Sequence, residues 1–326
     1  LCGNLQVSAK EISWSQLDQA LPMPVDLRDA ATALAVRAAD FFAKLNQQTL
    51  RLTGLPNQEY AVQIDGEPLG VFSAQELAAG INLAEYNTPM QRQAAAVHQL
   101  TLKRTGIHHT LWLDTRVPLA RQFPDQTPQL EKFAAASAQA VQALAAIQRE
   151  AARPRPHTFS VRPLDPARQG SAIDTPPADL GPNLALEKKW RSSDANPHGW
   201  SAGLTDGIWE GKMPHVYSTH DSPLFPKQVT IDLEKDQTLA HILLGVPAYG
   251  STRTVQVAVS ADNQNFQTVG HYTFSLRQAE KRFFSFPAVN ARYLRVTFAN
   301  HYEDSVDGFS PYRGFLADVQ AFAPRK

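Results

Sequence analysis

The serines and histidines of the first third are the side chains equipped for nucleophilic or metal chemistry. Ser8, Ser13, Ser15 and Ser73 offer hydroxyls, and His98, His108 and His109 offer bases. None of these serines sits in a Gly-x-Ser-x-Gly run, the setting that lifts a nucleophile clear at a strand-to-helix turn. Ser73 has another task. Glu76 follows it by three residues, the spacing of a capping box, in which the serine oxygen accepts a free helix N–H and the glutamate reaches back to the cap. Adjacent side chains such as His108 and His109 point about 100° apart on a helix and chelate less well than an i, i+4 pair. A His-Glu-x-x-His run is absent. The histidines read as helix-surface residues, and no catalytic residue is assigned.

Composition narrows the classes. The 326 residues suit two domains, and 43% hydrophobic with 19% charged residues allows each a core. Lys plus Arg and Asp plus Glu are 31 each. With no net field and no dense basic run, nucleic acid is not an expected partner. Cys2 is the only cysteine, which excludes an intrachain disulfide and a cysteine zinc site. No apolar run approaches the roughly 20 residues of a membrane span. Leu1-Cys2-Gly3-Asn4 has neither an initiator Met nor the features of a signal peptide, so a processed product or a fragment is expected.

Three regions position these residues. Residues 1–151 read as an α+β region. It has a strand at Ile12–Trp14, a helix from Ala30 to Leu45, and alternation at Leu50 and Leu52 and at Tyr60, Val62 and Ile64. A hairpin turns at Asp65-Gly66, since glycine tolerates the positive φ of a tight turn. A short helix over Ala74–Ala79 ends at Gly80. Thr88-Pro-Met-Gln91 reads as a second capping box, and Thr127-Pro128 as another helix start. Leu111 and Trp112 are expected to pack against the hairpin. Residues 152–182 carry seven prolines and read as a semi-extended linker without helix or central strand. Residues 183–326 alternate with period two at Val229, Ile231 and Leu233, at Val255, Val257 and Val259, and over Tyr293–Phe298. Asp262-Asn263 and Ala288-Val-Asn290 read as turns between strands of a sandwich.

Asn183-Leu-Ala-Leu-Glu-Lys-Lys-Trp190, Gly203-Leu-Thr-Asp206-Gly-Ile-Trp209 and Phe315-Leu-Ala-Asp318-Val-Gln-Ala-Phe322 together resemble a discoidin, or coagulation factor 5/8 type C, domain. The resemblance implies a galactose-binding-like jelly-roll sandwich that grips carbohydrate with loops at one end. Those loops are then Ser192–Trp200 and Asn300–Arg313. His198, Trp200, Tyr249, His301, Tyr302 and Arg313 are the expected ligand contacts, with Asp304, Asp307 and Tyr312 beside them. Aromatic faces stack on sugar C–H surfaces while Arg and His reach hydroxyls. The competing reading makes Trp190, Trp200 and Trp209 packing aromatics. The resemblance also implies a structural Ca²⁺ at Asp206 and Asp318, although Ile208, Trp209 and Glu210 replace the polar residues usual after the Asp-Gly turn. No other cofactor is implied.

The ordered series Gly54-Leu55, Tyr60–Gly66, Glu76–Ala84 and Thr88–Ala94 resembles the segment after the catalytic domain of SGNH/GDSL-type hydrolases, over roughly residues 10–120. Those enzymes are esterases, often deacetylating polysaccharides. Their Gly-Asp-Ser, Gly-x-Asn-Asp and Asp-x-x-His motifs lie upstream of this segment and are not present ahead of the hairpin here. The expectation is a carbohydrate-binding module on the non-catalytic tail of a polysaccharide-active esterase, secreted or periplasmic. The alternative is a carbohydrate esterase whose serine half lies upstream of Leu1 or on a separate chain. An exposed apolar patch is expected where that half would pack.

Overall fold

The computed structural model describes every residue except Arg28, His198, Glu303, Ser305, Val306 and Lys326, and the backbone alone of Ala30 and Arg37. The first sheet forms around the Asp65-Gly66 turn, where both residues take positive φ (53° and 78°). Its strands are β1 (Cys2–Val7), β2 (Ile12–Leu17), β4 (Glu59–Ile64), β5 (Glu67–Ser73) and β7 (Pro156–Pro163); β3 (Thr49–Leu50) and β6 (Ile81–Asn82) pair separately. The spatial order is β1-β2-β7-β4-β5, antiparallel throughout. One face of β4 buries Tyr60, Val62 and Ile64, as the period-two pattern requires. Trp14 stacks on Phe159 at 5.2 Å in the core beneath.

The linker reading of residues 152–182 is corrected over β7. This segment is a central strand between β2 and β4, with Phe159 and Val161 buried. Pro156 and Pro163 sit at its ends, where a missing N–H interrupts no ladder, and His157–Arg162 between them carry no proline.

The helices are α1 (Ala30–Ala38), α2 (Phe41–Lys44), α3 (Ala74–Ala79), α4 (Pro89–His109), α5 (Val117–Gln122) and α6 (Thr127–Ala151). The helix expected from Ala30 to Leu45 breaks at Asp40, whose left-handed backbone (φ 48°) turns the chain between α1 and α2. At α3 the Ser73–Glu76 capping box is complete in both directions. Thr88 caps α4 by accepting from Gln91 N, but the Gln91 side chain donates to Ala84 O instead of reciprocating. Thr127 is not a cap: it lies within α6 and donates to Pro124 O.

Wide turns over Thr110–Arg116 join α4 to α5, and α4 packs against α6. Gln93 donates to Ala151 O and Gln148 to Thr101 Oγ1 across this pair. Trp112 departs from its expected place. Leu111 is buried, but Trp112 is 46% exposed under the Arg116 guanidinium, 4.2 Å from the ring centre. His109 Nδ1 lies 3.5 Å from Asp114 on the exposed helix surface.

The second half holds β8 (Ser171–Ala172), β9 (Trp190–Ser192), β10 (Tyr217–Ser218), β11 (Lys227–Val246), β12 (Thr254–Ser260), β13 (Gln267–Thr273), β14 (Glu280–Phe298), β15 (Phe315–Leu316) and β16 (Asp318–Phe322). One sheet runs β13-β12-β14-β11-β16, with β8 on β14 and β9 on β11; β10 and β15 form a two-stranded companion. β11 and β14 pair over their whole length, with register shifts between Asp232 and Gln237 and between Leu239 and His241. Beyond the shifts β11 gains β16 as its neighbour; before them β14 holds β12. One bent antiparallel pair thereby serves both layers around a single core of Val229, Ile231, Ile242, Leu244, Val257 and Val296. Ala288-Val-Asn290, expected as a turn, lies inside β14 opposite Thr238 and Leu239. Asp262-Asn263 is a turn, with Asn263 at φ 59°.

Candidate ligand site

The loop end of the sandwich rests on the hairpin and α3 of the first half. Asn300 Nδ2 donates to Val71 O at 3.0 Å and Asn87 N to Phe225 O at 3.3 Å. Gly70 permits the approach, since a Cβ there would stand 3.0 Å from Ala299 O. Arg253 meets Glu76 Oε1 at 3.3 Å, while Glu76 Oε2 serves the α3 cap. Burial pushes the Glu76 carboxyl up, but the Ser73 N–H and hydroxyl and the Arg253 charge outweigh it and hold the group below its usual range.

Between the halves lies a cavity of about 950 Å³. The sandwich lines it with His220, Asp221, Phe225, Asn300, His301 and Tyr312, and the first half with Phe41, Phe42, Phe72, Glu85 and Tyr86. Rings meet along the sandwich side: His301 is 4.8 Å from Phe225 and 5.0 Å from Tyr312. This is the combination of apolar platform and directed polar groups that holds a polar ligand with apolar faces.

Lys227 knits the loops around this cavity. Its side chain is 1% exposed. The ammonium donates to His220 O (2.6 Å) and Tyr312 O (2.7 Å) and pairs with Asp194 Oδ2 (3.0 Å). Three loops thus converge on one cation. Burial pulls the Lys227 amine down to about 8, against the opposing pull of Asp194.

Arg313 makes a forked contact with Asp221 (2.8 and 2.5 Å) and lies over Phe309. It therefore shapes the wall through Asp221. Tyr302 donates its hydroxyl to Phe274 O at 2.5 Å and packs under Arg253. Trp200 and Tyr249 meet 6.4 Å apart in a second cluster with Phe309 and Phe315, and the Tyr249 hydroxyl donates to Gly211 O. Gly250, at φ 81°, admits the Phe315 ring, which a Cβ would meet at 2.2 Å. Burial pushes the Tyr249 phenol up to about 12.

Of the expected contacts, the cavity gathers His301, with Tyr312 beside it; Arg313 reaches it through Asp221, and Trp200 and Tyr249 stand in the separate cluster. Asp304 and Asp307 are exposed, and His198 lies outside the described residues. Trp190 packs on Tyr217 at 5.3 Å, and Trp209 lies under Lys281. Residues from the first half were beyond sequence reasoning, because nothing local in Phe41-Phe42 or Glu85-Tyr86 announces a neighbour more than a hundred residues away. His220-Asp221-Ser222, a polar run between prolines and strands, was the legible signal that went unused.

Asp206 and Asp318 come together behind the sandwich's other loops. Asp206 Oδ1 accepts from Ile208 N and Oδ2 lies 2.8 Å from His215 Nδ1. Asp318 is fully buried, with Gly207 N at 3.4 Å and Gln320 Nε2 at 2.8 Å. Burial, assisted by the Asp206 charge, pushes the Asp318 carboxyl up to about 7. A buried carboxylate held by neutral donors is one that a cation would compensate. Among the described residues no group of three or more His, Cys, Asp or Glu is placed to hold a metal, so backbone carbonyls would have to complete a calcium shell.

Residues 203–296 match the model of an F5/F8 type C family, described as NedA-like, galactose-binding domain. The second half has the fold of a discoidin-like β-sandwich. Comparison with solved structures finds a gut microbial diltiazem-metabolizing enzyme (21% identity, 50% of this chain and 46% of that chain, TM-score 0.40). The chain spans under half the length of that enzyme. It also finds chitosan-binding module 1 of a Paenibacillus chitosanase/glucanase (22%, 44% and 100%, TM-score 0.35). A third is a Clostridium perfringens module in complex with GalNAc-β-1,3-galactose (17%, 41% and 94%, TM-score 0.32). Comparison with curated proteins gives no match. Among the described residues, no helix is long and apolar enough to cross a membrane.

Proposed function

We propose that this protein binds carbohydrate through the loop end of its sandwich. The observation that carries the reading is the cavity of about 950 Å³ at that end, where Phe225, His301 and Tyr312 meet ring to ring beside Asp221 and Asn300. The match of residues 203–296 to a galactose-binding domain supports it. The direct test is calorimetric titration of the chain with a panel of mono- and oligosaccharides, galactosides included. Saturable binding that Tyr312→Ala abolishes, with an unchanged melting profile, is the expected result. A chain that binds no saccharide ends the reading.

The finer proposal places the module on the non-catalytic tail of a polysaccharide-active SGNH-type esterase, secreted or periplasmic, with a structural Ca²⁺ at Asp206 and Asp318. The alternative is the esterase itself, with its serine half upstream or on a separate chain. One observation favours such a companion: Trp112, Leu113, Phe123, Phe133 and Ile147 of the helical arm are each about half exposed, between 46% and 59%. Co-expression with an upstream SGNH domain should give a stable complex that deacetylates acetylated polysaccharide. Failure of the two to associate removes the companion.

A further inference from the structure

We propose that the cavity between the halves is an amino-sugar pocket in which the α+β half supplies the cation-binding wall through Glu85 and an aromatic wall through Phe41 and Phe42. The inference rests on the carbohydrate reading and narrows its ligand class.

The charges around the cavity decide it. Asp221 is held by Arg313, Glu76 by Arg253, and Asp40 by Lys44 at 3.0 Å. Glu85 lines the same space, and among the described residues no cation pairs with it. The residue is exposed at the rim of the cavity, yet the protein on its inner side pushes the carboxyl above the usual range, and a hydrogen bond from Asn82 offsets only part of this. A hydroxyl-only ligand would give this carboxylate neutral donors. A protonated amine would give it the opposite charge that its neighbours already have, and charge-assisted hydrogen bonds are the stronger kind.

The aromatic wall follows from the break at Asp40. Its left-handed backbone ends α1 and opens α2 with Phe41-Phe42, whose rings stand edge to face at 5.6 Å and line the cavity. Aromatic faces accept sugar C–H surfaces and attract an ammonium. A ligand there touches Tyr312 and His301 on one side and Glu85 and Phe42 on the other. The α+β half is thus part of the recognition surface rather than a support for it.

The test is titration of the whole chain at about pH 6 with the trimer of glucosamine and its N-acetylated counterpart. The amine form should bind about tenfold tighter, the size of one charge-assisted contact. Glu85→Gln should erase that preference and keep binding of the acetylated trimer, whereas Phe42→Ala should weaken both. Melting curves of each variant report on folding. The pocket assignment falls if Glu85→Gln retains the preference, if the two trimers bind alike, or if Phe42→Ala binds as the parent does. Galactoside binding that Tyr312→Ala abolishes, with neither trimer bound, also overturns the pocket and leaves the broader carbohydrate reading standing. A chain that binds no saccharide of either panel overturns both.

Discussion

Lys227 donates its ammonium to the backbone carbonyl of Tyr312 at 2.7 Å, from a position almost wholly inside the protein. The contact ties the first residue of a long strand to the loop that supplies the ring beside His301. A cation here is costly, and Asp194 with two carbonyls compensates it. Removing the cation leaves those oxygens without it. Lys227→Met should therefore destabilise the sandwich by about 3 kcal/mol and weaken saccharide binding as well. Denaturant melts alongside titrations check this; a stable variant that binds normally would show the knot to be dispensable.

The same residue sets a pH dependence. Its amine is lowered to about 8 from the ordinary 10.5, so between those values the unfolded chain holds a proton that the folded chain has released. Lys227's contribution to stability is therefore largest above the unfolded value and is lost as pH falls through about 8. Asp194 and Asp221 face it with negative charge and Arg313 with positive charge. The stability difference between the parent and Lys227→Met should grow by about 3 kcal/mol from pH 8 to pH 10.5. Paired melts across that range give the sign directly, and a flat or falling difference would contradict the assignment.

Arg313 and Asp221 should behave as a unit. Arg313→Ala and Asp221→Ala each break the forked contact, so their effects on binding should not add, with a coupling of about 1 kcal/mol. A double-mutant cycle measures it. Additive losses would mean that Arg313 reaches the ligand itself.

Phe159 is fully buried against Trp14 in β7. Phe159→Ala should cost about 3–5 kcal/mol, as in any packed core. In a linker the same change would be silent. Chemical denaturation followed by Trp14 fluorescence separates the two.

The proposed cation between Asp206 and Asp318 should raise the melting temperature on addition of Ca²⁺, and Asp318→Asn should abolish the shift. A melt in chelator that matches a melt in Ca²⁺ removes calcium from the account.

Local physics made much of this protein legible. Period-two burial at Tyr60, Val62 and Ile64 needs only one buried face, and the structure has it. Val255, Val257 and Val259 are buried as expected, but β12 is covered on both faces, so the residues between them are buried as well. Asp65-Gly66 and the Ser73–Glu76 box are short-range and appear as read. Where a signal was local but ambiguous, tertiary context chose. The prolines at 156 and 163 bound a central strand because their positions, not their number, decide whether a ladder is interrupted. Ala288-Val-Asn290 stays extended because β11 bends in step with it.

The site divides in the same way. The composition of the loops pointed to aromatic and charged ligand contacts, and His301 and Tyr312 do stand together. Tertiary structure alone spent Arg313 on Asp221, sent the Tyr302 hydroxyl to Phe274 O, and brought Glu85 and Phe42 to line one cavity with Tyr312. Each of those outcomes depends on contacts far apart along the chain. A residue's type states what it can bond; only the packing of distant segments states what it finds.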